Sequence, residues 1–369
     1  MDGRREPRRG HGEVLRGEVA WRRGRVRGPH AAWQGGGRRF LKFGVLQFFS
    51  WQRARVALPT VYERALDRVR IMDRTGYDAV WLAEHHFSTY SVCPSVHLMG
   101  MHVAGMTENL RIGTGVSLAA MYHPTRLAEE VALLDVLSGG RVNWGAGRGF
   151  DAKEFEVFGV PREESYARFR EHVDIVLRAW RDERLDYDGQ FHTLHDVEVL
   201  PKPLQQPHPP VWIASSSPEA IEWSAREGHA ILMDPHAPHP DLGEKYRAYR
   251  RGLEEHGHHN AQDTPMARLI AIAGTDAEAE EVARAGARWT VGSYANPKTH
   301  TSPGTPKVVR ARDPVQRYVD EVIVHGSTPR VIDQLRRLEE ELPLDYLLAA
   351  PLSHESFLRL TDEVLPALG

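Results

Sequence analysis

The sequence predicts an α/β fold of the (β/α)8 TIM-barrel type, and three observations lead to it. From residue 42 onward, short apolar runs alternate with stretches whose apolar residues recur at helical spacing. The short runs are apolar almost throughout, as expected of parallel strands that are covered on both faces. Eight such runs alternate with eight helical stretches, which is the strand and helix count of a TIM barrel.

The predicted elements follow one another with little interruption. The predicted strands are 42–48, 79–83, 110–118, 141–145, 211–214, 230–233, 268–273 and 345–350. The predicted helices are 60–74, 95–107, 124–137, 165–181, 218–227, 241–256, 276–288 and 328–341. A doubly wound open sheet is the alternative, but it normally has fewer strands and a glycine fingerprint after the first, and none follows Phe48.

Two insertions interrupt this alternation. Residues 187–200, followed by five prolines up to Pro210, predict a hairpin and a stiff connector. Residues 289–314 are rich in glycine and proline and have no apolar periodicity. A loop of this length inside a compact domain is typical of an active-site lid or a disordered segment.

The first 40 residues differ in composition from the rest. They contain eleven arginines, no lysine and four acidic residues, a net charge of +7, whereas the whole chain has −3. The segment has no hydrophobic periodicity, so we expect residues 1–40 to be a disordered extension of a domain at 41–369. No aromatic residues alternate with the arginines in a base-stacking pattern, so nucleic-acid binding is not expected. Arg38-Arg39 resembles the start of a twin-arginine signal, but the apolar run after it is short and lacks a cleavage site.

The bulk composition excludes several classes of protein. Cys93 is the only cysteine, which excludes a disulfide framework or a thiolate metal cluster and indicates a reducing, cytoplasmic location. No apolar run reaches the roughly 20 residues that cross a bilayer. Several histidines cluster between residues 236 and 259, but they lack consistent ligand spacing, so no metal site is expected.

Two adjacent histidines, His85 and His86, follow the second predicted strand directly. Because catalytic groups of a TIM barrel lie at the carboxyl ends of its strands, this position favours a catalytic role. A pair of helix-cap or core histidines would explain the same pattern.

Two further strand ends predict an anion site. Arg148 stands among Gly145, Gly147 and Gly149 after the fourth strand, where small residues let backbone approach a ligand. Serines 215–217 follow the fifth strand and Pro218 then begins a helix, whose free N–H groups attract anions. Together they predict a phosphate clamp, although a solvated arginine and an ordinary helix cap would explain them separately. Glycines within the third strand indicate a bulge or a flat ligand lying against backbone.

From about residue 42 to its end, the chain resembles the bacterial luciferase-like family of flavin-dependent monooxygenases. The resemblance rests on segments that match the luciferase α subunit in order and spacing. These are Glu84-His85-His86-Phe87, Ile112-Gly-Thr-Gly115, His123-Pro-Thr-Arg126, Ala146-Gly-Arg-Gly149, 155–159, Ala214-Ser-Ser-Ser217 and Glu222-Trp223.

The resemblance implies a TIM barrel that binds reduced FMN at its carboxyl rim. It assigns the FMN phosphate to Arg148 and Ser217, with Ser216 beside them, and backbone contacts with the cofactor to Phe150 and Ala214. The remaining residues that it implies are Gly115-Val116, at the family's cis peptide under the isoalloxazine, and His85, at the catalytic histidine of luciferase.

The sequence departs from luciferase at two of these positions. Gly147 stands where luciferase has a reactive cysteine, and Ala220 stands where luciferase has a threonine that helps to bind phosphate. The first change does not argue against flavin chemistry, and the second removes one contact to the phosphate.

The resemblance implies a two-component monooxygenase in which a separate flavin reductase supplies reduced FMN. No pyridine-nucleotide fingerprint is visible in the chain itself. Oxygen would add to the flavin to give a flavin hydroperoxide, which oxygenates a small organic substrate, with His85 as general acid or base. We also expect a homodimer. The alternatives are an oxidoreductase of the same superfamily that uses the deazaflavin coenzyme, and a non-catalytic flavin-binding or partner subunit.

Overall fold

The computed structural model describes residues 41–52, 55–258, 263–293, 313–342 and 345–368. The described residues belong to one compact unit, Gly35–Gly369. The predicted extension, residues 1–40, lies outside the described residues.

The chain alternates strands and helices, as the sequence predicts. The described strands are β1 (Lys42–Gln47), β2 (Ala79–Leu82), β3 (Arg111–Thr114), β4 (Ser117–Leu118), β5 (Val142–Gly147), β6 (Leu185–Asp188), β7 (Thr193–Val197), β8 (Val211–Ala214), β9 (Ala230–Leu232), β10 (Pro265–Ile272), β11 (Val324–Gly326) and β12 (Tyr346–Pro351).

The described helices are α1 (Leu58–Arg74), α2 (Val96–Met106), α3 (Pro124–Leu137), α4 (Ala152–Phe158), α5 (Ser165–Arg181), α6 (Pro218–Arg226), α7 (His239–Glu255), α8 (Asp276–Ser293), α9 (Pro314–Glu321), α10 (Thr328–Glu341), α11 (His354–Arg359) and α12 (Leu365–Leu368). A short 3₁₀ turn at Ala119–Met121 follows β4, and a π-helical turn at Leu360–Val364 joins α11 to α12.

The main sheet is parallel and curled. Its hydrogen-bonded order is β11-β10-β12-β1-β2-β3-β5-β8-β9, with β4 beside β5. An isolated parallel bridge between Met233, just after β9, and Met266 of β10 links the last strand of this order to one near its beginning. The carboxyl ends of the strands therefore lie along one curved rim.

Both faces of the strands are buried, which explains their uniformly apolar sequences. In β2, Val80 and Leu82 pack in a large cluster that includes Val69 of α1. The alternate residue Trp81 belongs to a second cluster, where its ring lies 5.2 Å from that of Trp212 at an edge-on angle. Alternate residues of a strand point to opposite faces, so the side chains of one face pack against the helices and those of the other fill the inside of the curled sheet.

The structure confirms the predicted hairpin and corrects three other predictions. β6 and β7 pair in antiparallel fashion within the predicted insertion. The predicted strand 110–118 is divided into β3 and β4, with a cis peptide between Gly115 and Val116 at the break. β11 adds a strand to the eight predicted ones; it has only three residues and offers no periodicity to detect. Helix α8 continues to Ser293, so the predicted loop starts later than residue 289, and residues 294–312 lie outside the described residues.

His172 of α5 ties this helix to the 3₁₀ turn beside the rim. Its Nδ1 lies 2.9 Å from the carbonyl oxygen of Ala119, so Nδ1 carries the proton, and its buried Nε2 has no hydrogen-bond partner among the described residues. Burial lowers the pKa of His172 from 6.5 to about 4. The folded protein therefore holds this imidazole neutral at physiological pH.

We expect the free energy of unfolding to decrease as the pH falls from 6.5 towards about 4. In this range His172 becomes protonated in the unfolded state but stays neutral in the folded state, so protonation favours unfolding. The pKa difference of His172 alone would lower the free energy of unfolding by up to roughly 3 kcal/mol. Urea unfolding at several pH values measures the effect. His172→Gln should reduce the slope of this pH dependence but not abolish it, because burial also lowers the pKa of His229 and of His239 to about 4. His195→Gln, whose side chain is 79% exposed, is the control and should leave the slope unchanged. An unchanged slope in His172→Gln would contradict this account.

Candidate active site

His85 lies at the carboxyl rim just after β2, in an enclosure of aromatic rings. Its ring centroid is 5.1 Å from that of Tyr90 and 6.0 Å from that of Phe150, both edge-on, and 6.4 Å from that of Phe48. The His85 side chain is only 14% exposed. On another side, its Nδ1 lies 3.8 Å from Oε1 of the buried Glu154. An imidazole that is shielded from water and close to a carboxylate is suited to hold or transfer a proton.

His86 has different partners from His85, as expected for adjacent residues that leave a strand. Its Nε2 lies 3.0 Å from Oε1 of Glu84, and its ring packs edge-on against that of Phe158, 4.7 Å away. Glu84 is 2% exposed and also accepts a hydrogen bond from the hydroxyl of Tyr122 at 2.9 Å. Burial, followed by the charge of Glu84, raises the pKa of Tyr122, which keeps this phenol protonated as a donor. The Glu84 network therefore braces the rim.

Small residues form a floor where three strands meet at the rim. β4 and β8 each pair with β5, and the register continues towards Gly147 and Ala214. A Cβ built on Gly147 would lie 2.4 Å from Val116 Cγ2 and 3.5 Å from Ala214 Cβ. A larger residue at position 147 would press on the Val116 side chain, which would have to move. Val116 follows the cis peptide at Gly115, which the luciferase resemblance implies.

Arg148, directly after β5, is held in place by groups of α4 and α5. Its Nη1 donates a hydrogen bond to Ser165 Oγ at 2.8 Å, and its guanidinium lies 4.1 Å from the ring centroid of Tyr166. Phe155 lies on another side, with its ring centroid 5.6 Å away. Partial burial lowers the pKa of Arg148, but a guanidinium remains charged at physiological pH. The rim therefore carries an oriented cation next to the small-residue floor.

Helix α6 begins at the neighbouring strand end. Ser217 caps it by accepting a hydrogen bond from the N–H of Ala220 at 3.2 Å, and Pro218 is the first helical residue. Ala214 and Ser216 are exposed, whereas Ser215 is buried and its hydroxyl lies 2.9 Å from that of Ser224. Of the three serines, Ser216 and Ser217 are thus placed to meet a ligand, and Ser215 has a structural role.

The structure brings the predicted site residues to one rim, and it adds residues that sequence reasoning missed. The missed residues are Tyr90, Tyr122, Glu154 and Ser165. Asp151 and Glu154 have the spacing of a helix N-cap and the third helical residue, and Asp151 does accept a hydrogen bond from the N–H of Lys153. That spacing signals a helix start, but only the fold shows that Glu154 turns towards His85.

Comparisons with known proteins show the family to which the chain belongs. Residues 41–344 match the family described as luciferase-like monooxygenase. The chain belongs to this family. The membership confirms the luciferase-like resemblance and the enzyme class that it implies, an oxidoreductase of the flavin-dependent monooxygenase type.

One relative and two solved structures illustrate the family. The oxygenase component of the flavin-dependent trigonelline monooxygenase of Acinetobacter baylyi is 32% identical over 177 residues, which cover 47% of this chain and 49% of that protein. This match therefore spans about half the length of this chain and about half the length of the relative. The oxygenating constituent of 3,6-diketocamphane monooxygenase from Pseudomonas putida, solved with FMN, is 18% identical with a TM-score of 0.74, covering 89% of this chain and 99% of that one.

The second structure is an F420-dependent secondary alcohol dehydrogenase. It is 18% identical to this chain with a TM-score of 0.71, and the alignment covers 89% of this chain and 99% of that one. At such identities the two solved structures establish a shared fold and leave the cofactor open.

No group of three or more His, Cys, Asp or Glu side chains in the described part of the chain is arranged to hold a metal ion. Among the described residues, no helix combines the length and apolar character needed to cross a bilayer.

Proposed function

We propose that this protein is the oxygenase component of a two-component system, which uses reduced FMN and O2 to oxygenate a small organic substrate. The observation that carries the proposal is the arrangement at the rim, where the enclosed His85, the small-residue floor and the oriented Arg148 lie on neighbouring strand ends. A floor without bulky side chains suits a planar ring, and a cation next to a helix N-terminus suits a phosphate. The residues present therefore fit FMN.

We infer that this rim belongs to a closed eight-stranded barrel. The bridge between Met233 and Met266 supports the closure, because it links β9 to β10 on the side opposite β12. A closed barrel would place the ends of β2, β4, β5 and β8 around one cavity.

Each residue of the site has a distinct task in this proposal. When bound, reduced FMN supplies the electrons that activate O2. Arg148, Ser217 and Ser216 would hold the phosphate, and the backbone of Phe150 and Ala214 would contact the cofactor. Gly115 and Val116 would contact its ring system.

His85 carries out the proton transfer. Its ring holds or releases the proton that oxygen transfer requires, and the aromatic enclosure of Phe48, Tyr90 and Phe150 keeps water away from it. Exclusion of water favours transfer of oxygen to substrate over release of peroxide.

Partners follow from the same proposal. The trigonelline relative is named as an oxygenase component, which supports a separate flavin reductase as the source of reduced FMN. Exposed leucines on the packed helices α2 and α3 support a homodimer, since Leu98 is 75% exposed and Leu133 and Leu137 are 46% and 43% exposed. Sedimentation velocity measures the oligomeric state directly.

The cofactor is tested by anaerobic titration with reduced FMN and, in parallel, with reduced F420. The F420-dependent structural neighbour favours the second coenzyme as the alternative. Retention of reduced FMN alone, followed by O2 consumption with product formation, supports the proposal. Retention of F420 alone would replace it with hydride transfer, and FMN binding without turnover would indicate a non-catalytic subunit.

The substrate is tested by a screen with reduced FMN and O2, read by mass spectrometry as the gain of one oxygen atom. The names of the relatives suggest the first probes, which are trigonelline and bicyclic diketones. Each probe needs a control without protein, because free reduced FMN also consumes O2.

A further inference from the structure

The two adjacent histidines of the rim each face a buried carboxylate, and the two carboxylates are not equally satisfied. Glu84 accepts three hydrogen bonds, from His86 Nε2 at 3.0 Å, from the Tyr122 hydroxyl at 2.9 Å and from the Leu118 N–H at 3.4 Å. Glu154, from α4, is 1% exposed and accepts one, from the N–H of His86 to Oε1 at 3.0 Å. Its Oε2 is buried without a hydrogen-bond partner among the described residues.

A buried carboxylate with an unsatisfied oxygen is costly, because it has lost its hydration without full replacement. His85 is a neighbouring side chain that can carry a balancing positive charge, since its Nδ1 lies 3.8 Å from Oε1 of Glu154, the oxygen that also accepts the His86 N–H. This distance is too long for a hydrogen bond but is within the range of an ion pair. Catalytic hydrogen bonds of resting enzymes are often long and shorten when substrate binds.

Three aromatic rings also contact the His85 ring. Phe48 and Phe150 contribute uncharged rings, and Tyr90 contributes a buried phenol whose hydroxyl lies 3.2 Å from His236 Nε2. Burial raises the pKa of Tyr90 well above its ordinary value, so the phenol stays neutral. Of these groups, only Glu154 brings a negative charge towards the His85 ring.

We propose that Glu154 is the positioning residue of His85, and this inference rests on the proposed function, in which His85 transfers a proton. The carboxylate orients Nδ1–H of His85 towards α4 and stabilises the imidazolium that forms when the ring holds a second proton. Nε2 is then the atom that accepts and returns the proton during oxygen transfer. Glu84 has the corresponding contact with His86 but serves the structure of the rim.

A purely structural role for Glu154 is the competing explanation, since its Oε1 also holds the backbone of His86. Glu154→Gln separates the two roles. The amide oxygen can still accept the hydrogen bond from the His86 N–H, whereas the negative charge near His85 is lost. Matched controls are Glu156→Gln, on the same helix with its side chain 70% exposed, and Glu84→Gln, at the carboxylate of the other histidine.

The first measurement is steady-state turnover. We expect Glu154→Gln to lower kcat roughly 10- to 100-fold, by analogy with carboxylates that orient the histidine ligands of metal sites. The KM for reduced FMN should stay unchanged, and both controls should keep kcat within a few-fold of the wild type.

The second measurement needs no turnover. Nitrogen-15 NMR of the histidine rings distinguishes the Nδ1–H from the Nε2–H tautomer, and the His85 signals are assigned from their loss in His85→Gln. We expect the Nδ1–H tautomer in the wild type and in Glu154→Asp, which keeps the charge, and a shift to Nε2–H in Glu154→Gln.

The two measurements separate this inference from the proposed function. A wild type without FMN-dependent turnover would reject the proposed function, while the tautomer would still report whether Glu154 positions His85. Wild-type kcat in Glu154→Gln, together with an unchanged His85 tautomer, would overturn the inference and leave Glu154 as a structural residue. If Glu154→Gln does not fold, a His85 tautomer in Glu154→Asp that differs from the wild type would overturn it equally.

Discussion

His85→Ala should bind reduced FMN with wild-type affinity and lose roughly 10²- to 10⁴-fold in turnover, the usual contribution of a positioned acid or base. Affinity should persist because Arg148 and Ser217, which we assign to the phosphate, lie on other strand ends. Turnover should fall because the variant lacks the ring that handles the proton. Anaerobic titration measures the affinity. The yields of product and of peroxide, with a substrate that the wild type oxygenates, measure the turnover. The O2 that no longer enters the product should be released as hydrogen peroxide.

The neighbouring histidine provides the control. His86→Ala removes a ring that contacts Glu84 and Phe158, so it should lower stability but keep turnover within about tenfold of the wild type. Glu84 would still accept hydrogen bonds from Tyr122 and from the Leu118 N–H. Equal losses of turnover in the two variants would mean that both imidazoles serve packing, and that another group transfers the proton.

Most of the fold could be predicted from the sequence, because the strands are buried on both faces. A parallel strand covered on both faces must be apolar at nearly every position, as in the fully buried β2. Helix starts were equally clear where proline occupies the first turn, and α3 and α10 have the predicted bounds. β11 was not predicted because its three residues show no periodicity. The break between β3 and β4 falls at Gly115, one of the glycines that indicate a bulge in the third predicted strand.

The site was readable only where its residues lie at strand ends. Arg148 follows β5 directly and His85 lies three residues after the end of β2, so their position at the rim follows from the topology. Glu154 lies 68 positions after His86, the residue whose N–H it accepts, and it comes from a helix rather than a strand end. Its approach to His85 depends on how α4 packs on the rim. That packing is a tertiary property, for which the local sequence offers only the signature of a helix start.

Arg148→Ala should weaken the binding of reduced FMN by about ten- to a hundredfold, since a charge-assisted hydrogen bond contributes roughly 1.5–3 kcal/mol. The structure adds a reason to expect a large effect. The hydrogen bond to Ser165 and the stacking on Tyr166 already hold the guanidinium in place, so little side-chain entropy is lost when a phosphate binds. Arg148→Lys keeps the charge but loses the planar fork, so its affinity for reduced FMN should lie between that of the wild type and that of Arg148→Ala.

Arg148→Ala also removes contacts that have nothing to do with FMN, so a matched variant is needed to separate stability from binding. Arg178, at the other end of α5, lies 5.3 Å from the ring centroid of Tyr187 and donates a hydrogen bond to the carbonyl oxygen of Asp186 at 2.9 Å. Both alanine variants should lose up to about 1 kcal/mol of stability through the cation–π contact. Only Arg148→Ala should lose affinity for reduced FMN in an anaerobic titration. If the two variants bind reduced FMN equally well, the Arg148 guanidinium serves to fasten α5 to the rim, and the phosphate must be held elsewhere.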